Sequence, residues 1–376
     1  MLILAVDIGT GTQDILLFDS NREVENCLKM VMPSPTMLLA EQVRAVTQQG
    51  SDLLLTGDLM GGGPCAWAVR DHLDAGCRVY ATPSAARTFN DDLDAVVDMG
   101  VTLVTEDEAG VMGGDVTQLS MGDFDYGAIA EAFGSFGVNL DRDLAGIAVA
   151  VFDHGHAPPG VSDRLFRFQY LEERLRADDR LSTFAFLSSE VPSIMTRMRA
   201  VASSSPRNDI PLLLMDTAPA AALGALTDRS VTRCDKPIIL VNVGNFHCLA
   251  FRLGEDGIEG LFEHHTGELT AGQLEGLLER LAQSSITHAE VFGSNGHGAV
   301  LFCDTAIILA ECALVVTGPR RGLLRSSRYD PIFVAPFGDM MLAGCYGLVQ
   351  AYGEVVAEAG EVIDQALAGA GGRPLW

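Results

Sequence analysis

Two strand-turn-strand segments, one in each half of the chain, constrain the fold more than any other feature of the sequence. The first reads ILAVDIGTGTQDILLFD at residues 3–19, and the second reads ILVNVGNFHCLAFRL at residues 239–253. In each, an apolar strand ends at a polar residue, a glycine turn follows, and a second apolar strand can fold back on the first. This repetition predicts two halves, residues 1–230 and residues 231–376.

Between the two hairpins, short apolar runs alternate with helical patterns. Strands are predicted near 24–31, 53–55, 78–81, 101–104 and 146–152, and helices near 36–48, 66–74, 125–133 and 162–177. Such alternation is typical of an α/β protein. Residues 91–125 are rich in acids and contain no base, so we expect a solvated face or an insertion in the first half.

Composition excludes several classes of function. The 376 residues include 50 acids and 25 bases, a formal net charge of −25, so a binder of nucleic-acid backbone would work against its own field. Neither lysine, Lys29 or Lys236, follows a glycine-rich loop, so the GxxxxGK[ST] phosphate motif is absent. The N-terminus lacks a leader pattern, no apolar run could span a bilayer, and the eight cysteines form no CxxC. We therefore expect a cytoplasmic protein that binds neither nucleic acid nor membrane.

The first glycine turn has the chemistry of a phosphate site. Gly9 and Gly11 let the backbone approach a phosphate and present N–H groups to it, while Thr10 and Thr12 add hydroxyl donors. Asp7, at the end of the preceding strand, is a candidate ligand for Mg²⁺ through water.

The second turn, at Gly244 and Asn245, can hold phosphate oxygens in the same way. Two such hairpins that face each other would grip a polyphosphate between them. The loop GDLMGGGP at residues 57–64 also precedes a predicted helix, and it is either a further anion site or a tight strand-to-helix connection.

With these motifs the chain resembles the actin-like ATPase superfamily, which includes sugar kinases, heat-shock ATPases and the hydantoinase/oxoprolinase group. DIGTGTQD at 7–14 resembles its first phosphate motif and VNVGNFHCLAF at 241–251 a degenerate second one. MDTAPAAALGAL at 215–226 and GDMMLAGCYGLVQAY at 338–352 resemble the two helices that cross between the halves. The resemblance implies a duplicated ribonuclease-H-like α/β fold whose two halves surround a central cleft that holds ATP and Mg²⁺.

Two glycine segments resemble the adenosine loop of the superfamily. One is AEVFGSNGHG at 289–298, with Gly293, Gly296 and Gly298, and the other is VVTGPRRG at 315–322, with Gly318. The overall pattern also looks like a family labelled pyruvate formate-lyase activating-like. That label implies a radical iron-sulfur enzyme, whereas the chain contains no CxxxCxxC.

The segment AVFDHGHAPPGVSDRLFRF at 150–168 is the candidate acceptor site, because a similar segment of sugar kinases leads toward the acceptor. Asp153 and His154 are candidates for a base and an orienting group. His156, Arg164 and Arg167 are candidate substrate ligands, since guanidinium groups suit carboxylates.

The resemblance implies a kinase or ATPase that transfers a phosphoryl group to, or activates, a small polar metabolite. A second hypothesis is a degenerate nucleotide- or metabolite-binding regulator, because Asn242 stands where most members have Asp, and an amide is not a base. A third is a metal-dependent hydrolase that uses the Asp-His-Gly-His segment at 153–156 with the EHH at 263–265. A protein partner or a homodimer stays open.

Overall fold

Two six-stranded sheets and one four-stranded sheet organise the chain. The computed structural model describes residues 1–114, 116–255 and 257–369. Asp115, one of the acids of the acid-rich stretch 91–125, lies outside the described residues. The sequence-predicted strands and helices are confirmed, except that the strand expected from residue 24 begins at Leu28, after a short 3-10 turn.

The first six-stranded sheet contains the first hairpin. Ten strands form this sheet and the inserted four-stranded sheet, and in chain order they are β1 (Leu2–Ile8), β2 (Thr12–Asp19), β3 (Leu28–Pro33), β4 (Asp52–Gly57), β5 (Val79–Ala81), β6 (Val101–Leu103), β7 (Val116–Met121), β8 (Gly146–Val151), β9 (Ala185–Leu187) and β10 (Leu212–Asp216). Strands β4 to β7 belong to the inserted sheet, and the other six belong to the large sheet. The order is β3-β2-β1-β8-β10-β9, with β1, β8 and β10 parallel and β2 antiparallel to both of its neighbours. Residues 3–6 of β1 are fully buried, as expected for a central strand.

The second six-stranded sheet repeats this arrangement. Its strands are β11 (Ile238–Val243), β12 (His247–Leu253), β13 (Ile258–His265), β14 (Gly298–Leu301), β15 (Ala313–Thr317) and β16 (Ile332–Phe333). The order is β14-β13-β12-β11-β15-β16, again with the hairpin strand β11 in the middle, parallel to β15. A shared core of a three-stranded meander followed by two parallel strands is the ribonuclease-H-like sheet, and its presence in both halves confirms the predicted fold.

The helices cover the faces of these sheets. They are α1 (Pro35–Gln49), α2 (Pro64–Asp74), α3 (Pro83–Ala86), α4 (Leu93–Asp98), α5 (Glu106–Val111), α6 (Tyr126–Gly134), α7 (Leu140–Asp143), α8 (Asp163–Ala177), α9 (Thr196–Ser204), α10 (Thr217–Ala225), α11 (Arg229–Thr232), α12 (Ala271–Ala282), α13 (His288–Gly293), α14 (Ala343–Val355) and α15 (Gly360–Leu367). Local chemistry sets their ends: the Ser34 side chain caps α1, and Gly50 ends it with a φ of 68°. No helix of the described ranges is long and apolar enough to cross a membrane.

The four-stranded sheet is inserted in the first half between β3 and β8. Its strands are all parallel, in the order β6-β5-β4-β7, and α1 and α2 pack beside it. The acid-rich stretch supplies β6, β7, α4 and α5 of this unit. The loop between β4 and α2, within the insertion, contains three consecutive glycines at 61–63.

Two helices, α10 and α14, cross each other where the two halves meet. Helix α10 contacts strands of both large sheets, and α14 follows the second sheet in the chain but packs on β1 and β8 of the first. Both helices are almost entirely buried. A Cβ atom at Gly224 or Gly347 would lie well under 3.0 Å from the facing backbone, so the crossing requires glycine at both positions.

Candidate functional site

A cavity of about 330 Å³ lies between the two halves, at the carboxyl ends of β1 and β11. Both glycine turns, the glycine loop of the insertion and the N-termini of α10 and α14 border it. This is the edge at which α/β folds commonly bind ligands, because strand ends and helix N-termini converge there.

The two glycine turns have the same internal hydrogen bond. The N–H of Gly9 donates to the carbonyl of Thr12, and the N–H of Gly244 donates to the carbonyl of His247, each over 2.9 Å. The glycine amides therefore close their own turns. Among the described residues, the N–H groups at positions 10 and 11 and at positions 245 and 246 have no acceptor, so each turn keeps two consecutive free donors.

The turns face one another closely. A Cβ atom on Gly11 would lie 2.8 Å from Nδ2 of Asn245, which belongs to the opposite turn. Gly9, Thr10 and Thr12 border the cavity from one side, and Gly244 and Asn245 border it from the other. The structure thus brings both predicted phosphate turns to one cavity; Gly11 lies at their contact.

Asp7 and Asp14 form a buried acid pair at this cavity. They are opposite each other in the register of β1 and β2, and each is 7% exposed. Burial raises the pKa of Asp7 to about 7, and burial together with the charge of Asp7 raises the pKa of Asp14 to about 8. Thr217 donates a 2.5 Å hydrogen bond to Asp7, whereas Oδ1 of Asp14 has no partner within the described residues.

No side chain of the described residues brings a free positive charge to the acid pair. Arg197 is the one lysine or arginine of the described residues on the cavity wall. Its guanidinium donates to Asp123 over 2.7 and 2.9 Å and to the carbonyl of Phe152 over 2.7 Å. Sequence reasoning missed Asp14 as a site residue, although a hairpin with Asp at both strand ends places the two carboxylates together.

Two helix N-termini complete this side of the cavity. Thr217 begins α10 and Ala343 begins α14, and both line the cavity. Gly344 packs directly against the Asp7 carboxylate, where a Cβ atom would overlap Oδ2. Helix N-termini carry a partial positive charge, so they favour anions at this position.

The glycine loop at 61–63 also borders the cavity, in front of α2. The loop therefore both joins β4 to α2 and borders the cavity, and the two interpretations that the sequence left open both remain. Thr36 bridges the loop, since its hydroxyl donates to the carbonyl of Gly62 and accepts from the N–H of Cys65.

The two candidate adenosine segments lie in different places. Gly318, in the loop after β15, lines the cavity. Gly293, Gly296 and Gly298 do not, and we correct that assignment. Gly293 ends α13, Gly296 follows it, and Gly298 begins β14, the edge strand of the second sheet. Strand β15 instead lies beside β11 and ends next to the Gly244 turn.

The predicted acceptor segment is only partly at the cavity. Asp153 is not available as a base, because its carboxylate accepts the N–H groups of Gly155 and Met198 over 2.8 and 2.9 Å. His156 is exposed and lies 3.4 Å from Asp91. Within the segment, local spacing does not determine which side chains turn inward.

The two arginines predicted to bind substrate are bound to other groups of the protein instead. Arg164 donates to the carbonyl of Gly296 over 2.6 Å. Arg167 is fully buried, and its guanidinium binds Asp216 and Glu263 over distances of 2.6 to 3.3 Å. Neither guanidinium reaches the cavity wall, so both assignments are corrected.

His154 does reach the cavity, together with His247 and His265 from the second half. Burial lowers the pKa of His154 to about 3 and that of His265 to about 4, and it lowers the pKa of His247 well below its usual value. All three imidazoles are therefore neutral at pH 7. The pairing of β12 with β13 sets His247 opposite His265. A sequence pattern that predicted this strand pair would have placed the two histidines together.

The duplicated sheet, the crossing helices and the cleft with facing glycine turns define an actin-like ATPase fold. The chain belongs to the family described as "Putative pyruvate format-lyase activating enzyme (DUF1786)", whose model matches residues 60–323.

Among solved structures, the chain is similar to the ethanolamine utilization protein EutJ from Carboxydothermus hydrogenoformans, with 12% identity, a TM-score of 0.30 and coverage of 93% of this chain and 89% of that chain. It is also similar to an exopolyphosphatase-like protein, with 9% identity, a TM-score of 0.28 and coverage of 99% and 91%. No curated protein matches the chain. The fold assignment rests on the strand order of the two sheets.

Proposed function

We propose that the cavity binds ATP with Mg²⁺ and that the protein transfers a phosphoryl group to, or activates, a small polar metabolite. The observation that carries this proposal is the pair of glycine turns that face each other across one cavity with two free N–H groups on each. Paired amides of this kind bind phosphate oxygens. The cavity volume of about 330 Å³ is at the lower end of small-molecule pockets, which suits a cleft that closes on its ligand.

Each element of the cavity has a role in this proposal. The free amides of the two turns and the N-termini of α10 and α14 bind the phosphates, and the loop of Gly318 borders the adenosine. Asp7 and Asp14 would hold Mg²⁺, directly or through water, which satisfies the unpartnered Oδ1 of Asp14. Mg²⁺ neutralises charge on the phosphate oxygens during transfer. His154 lies where an acceptor would enter.

The charges around the cavity allow a more specific prediction about Mg²⁺. Because Asp123 neutralises Arg197, the described residues bring no free cation to phosphates at this cavity, and the acid pair, with pKa values of about 7 and 8, adds negative charge there as it deprotonates. We therefore expect ATP binding to depend strictly on Mg²⁺.

Calorimetric titration tests the proposal. ATP with Mg²⁺ should bind, AMP should bind more weakly, and chelation of Mg²⁺ should abolish binding of ATP. Asp14→Asn should weaken Mg²⁺-ATP binding by about tenfold or more, a loss of about 1.4 kcal/mol. Glu41→Gln, the same charge change at an exposed position of α1, should leave binding unchanged. Equal affinity for ATP in Asp14→Asn, or with Mg²⁺ removed, would contradict the proposal.

The regulator remains a second candidate, because Asn242 lies at the cavity on β11, as Asp7 does on β1. The second half thus supplies an amide where the first supplies an acid. Phosphate release from ATP over a panel of small polar acceptors separates the two functions. Turnover that Asp7→Asn abolishes supports the enzyme, and tight Mg²⁺-ATP binding without turnover supports the regulator.

The hydrolase hypothesis keeps only part of its residues. Asp153 is held by two backbone amides, and His156 lies beside Asp91 on the surface. His154 does reach the cavity, which His265 of the EHH segment also lines.

A further inference from the structure

Three histidines from separate segments meet beside the cavity. His154 follows β8, His247 begins β12, and His297 precedes β14. One ring nitrogen from each lies within 4.8 Å of the nitrogens from the other two. We call His154, His247 and His297 the histidine cluster; ATP binding as proposed above does not use it as a unit.

The cluster contains ring nitrogens that lack hydrogen bonds. His297 is 0% exposed, and within the described part of the chain neither its Nε2 nor the Nε2 of His247 has a hydrogen-bond partner. A buried imidazole nitrogen without a partner costs free energy, so two at one place indicate a missing ligand.

The surrounding side chains fix the rings. Glu263 is fully buried, and its Oε2 lies 3.0 Å from Nδ1 of His297, although within the described residues neither ring nitrogen of His297 makes a hydrogen bond of good geometry. A carboxylate behind a histidine is the usual support of a metal-binding imidazole. Phe152 stacks on His247 with the ring planes 7° apart and the centroids 4.0 Å apart.

A buried ion-pair network adjoins the cluster. Arg167 lies between Glu263 and Asp216 and binds both, so one positive charge faces two acids. Burial raises the pKa of Asp216, whereas the pKa of Glu263 lies well below its usual value because Arg167 outweighs the effect of burial, so a buried carboxylate stands behind His297.

We infer that the histidine cluster binds one divalent transition-metal ion, such as Zn²⁺, through one nitrogen of each of its three imidazoles. Ligand nitrogens around a tetrahedral Zn²⁺ lie roughly 3.3 Å apart, so small rotations of the side chains close the set. His154 and His247 line the cavity, so the fourth coordination position opens toward it. Three imidazoles with one open position is the arrangement of sites that exchange a water for a substrate oxygen.

The test is metal binding to the full chain, measured without nucleotide so that it is independent of the proposed ATP site. After chelation and removal of the chelator, the wild-type protein should bind one Zn²⁺ per chain by calorimetry. Co²⁺ in the same site should give the visible absorption of tetrahedral nitrogen ligation, without the near-ultraviolet band of a thiolate ligand. Zn²⁺ should also raise the midpoint of thermal unfolding.

Matched variants locate the ion. His154→Gln and His247→Gln should each weaken Zn²⁺ binding by about 100-fold, whereas His156→Gln, two residues away and exposed, should bind as the wild type does. Thermal unfolding of the metal-free proteins shows whether each variant folds. If His154→Gln unfolds early, the Co²⁺ spectrum of the wild type and the His156→Gln titration still decide the question.

Several results would overturn the inference. They are the absence of stoichiometric binding, a thiolate band with Co²⁺, equal affinity in a folded His154→Gln, or loss of binding in Asp14→Asn, which would place the ion at the acid pair.

Discussion

Replacing Gly347 by alanine tests the crossing of α10 and α14, which holds the two halves together. A Cβ atom at Gly347 would lie well under 3.0 Å from the carbonyl oxygen of Ala220, whereas ordinary van der Waals contact begins at 3.4 Å. The obstacle is backbone, so the helices have to separate. A gap of about 0.5–1 Å already forfeits a quarter to a half of the dispersion energy at each contact, and overpacking of a core costs about 1–3 kcal/mol or more.

An opposing effect reduces this cost. Alanine favours a helix over glycine by about 1 kcal/mol, so a clash with backbone that costs about 3 kcal/mol or more, the upper end of that range, leaves a net loss of about 2 kcal/mol or more for Gly347→Ala. Gly272→Ala is the matched control, because Gly272 is an exposed residue of α12 with nothing within 4 Å of its added Cβ. Thermal unfolding by circular dichroism should show a midpoint lower by about 2.5 °C or more for Gly347→Ala and unchanged or slightly higher for Gly272→Ala. Equal midpoints for the two variants would refute the packing argument.

Four further variants test the buried polar groups by thermal unfolding of the ligand-free protein. Asp14→Asn should raise the midpoint, because it removes a buried acid whose ionisation burial and the charge of Asp7 oppose, and a lower midpoint would contradict this. Arg197→Met should destabilise by about 3 kcal/mol, since it leaves Asp123 buried and unpaired, and the double variant with Asp123→Asn should recover part of that loss; no recovery would contradict the ion-pair argument. His72 is fully buried, and burial lowers its pKa, so the unfolded chain takes up a proton there below about pH 6.5 while the folded chain resists it. Stability should therefore fall as pH drops below that value, and His72→Leu should flatten the fall; an unchanged slope would show that His72 does not contribute.

The sequence was sufficient for the parts of the fold that local patterns determine. The hairpins at 3–19 and 239–253 were predictable because apolar strands flank a glycine turn in each, and the central strands carry continuous apolar runs. Their duplication indicated the two sheets. The order along the chain of the two phosphate motifs and the two small-residue segments, at 215–226 and 338–352, indicated that α10 and α14 are the helices that cross.

The site was less predictable, because it depends on which way each side chain points. Asp153 and His154 are adjacent, yet one binds backbone amides and the other faces the cavity. Arg167 carries the charge expected of a substrate ligand but is fully used by Glu263 and Asp216. These outcomes depend on contacts between distant segments.

The histidine cluster shows the same limit. His154 and His297 are separated by more than 140 residues and by a whole sheet, and no local pattern connects them. His247 stacks on Phe152 as a packed strand residue does, and its unpartnered nitrogen is visible only in three dimensions.

A crystal structure of the protein with Mg²⁺ and a non-hydrolysable ATP analogue tests the central claim most directly. The account predicts the terminal phosphates between the free amides at 10–11 and 245–246, with Mg²⁺ beside Asp7 and Asp14. A nucleotide bound elsewhere, or phosphates that touch only one of the two turns, would contradict it.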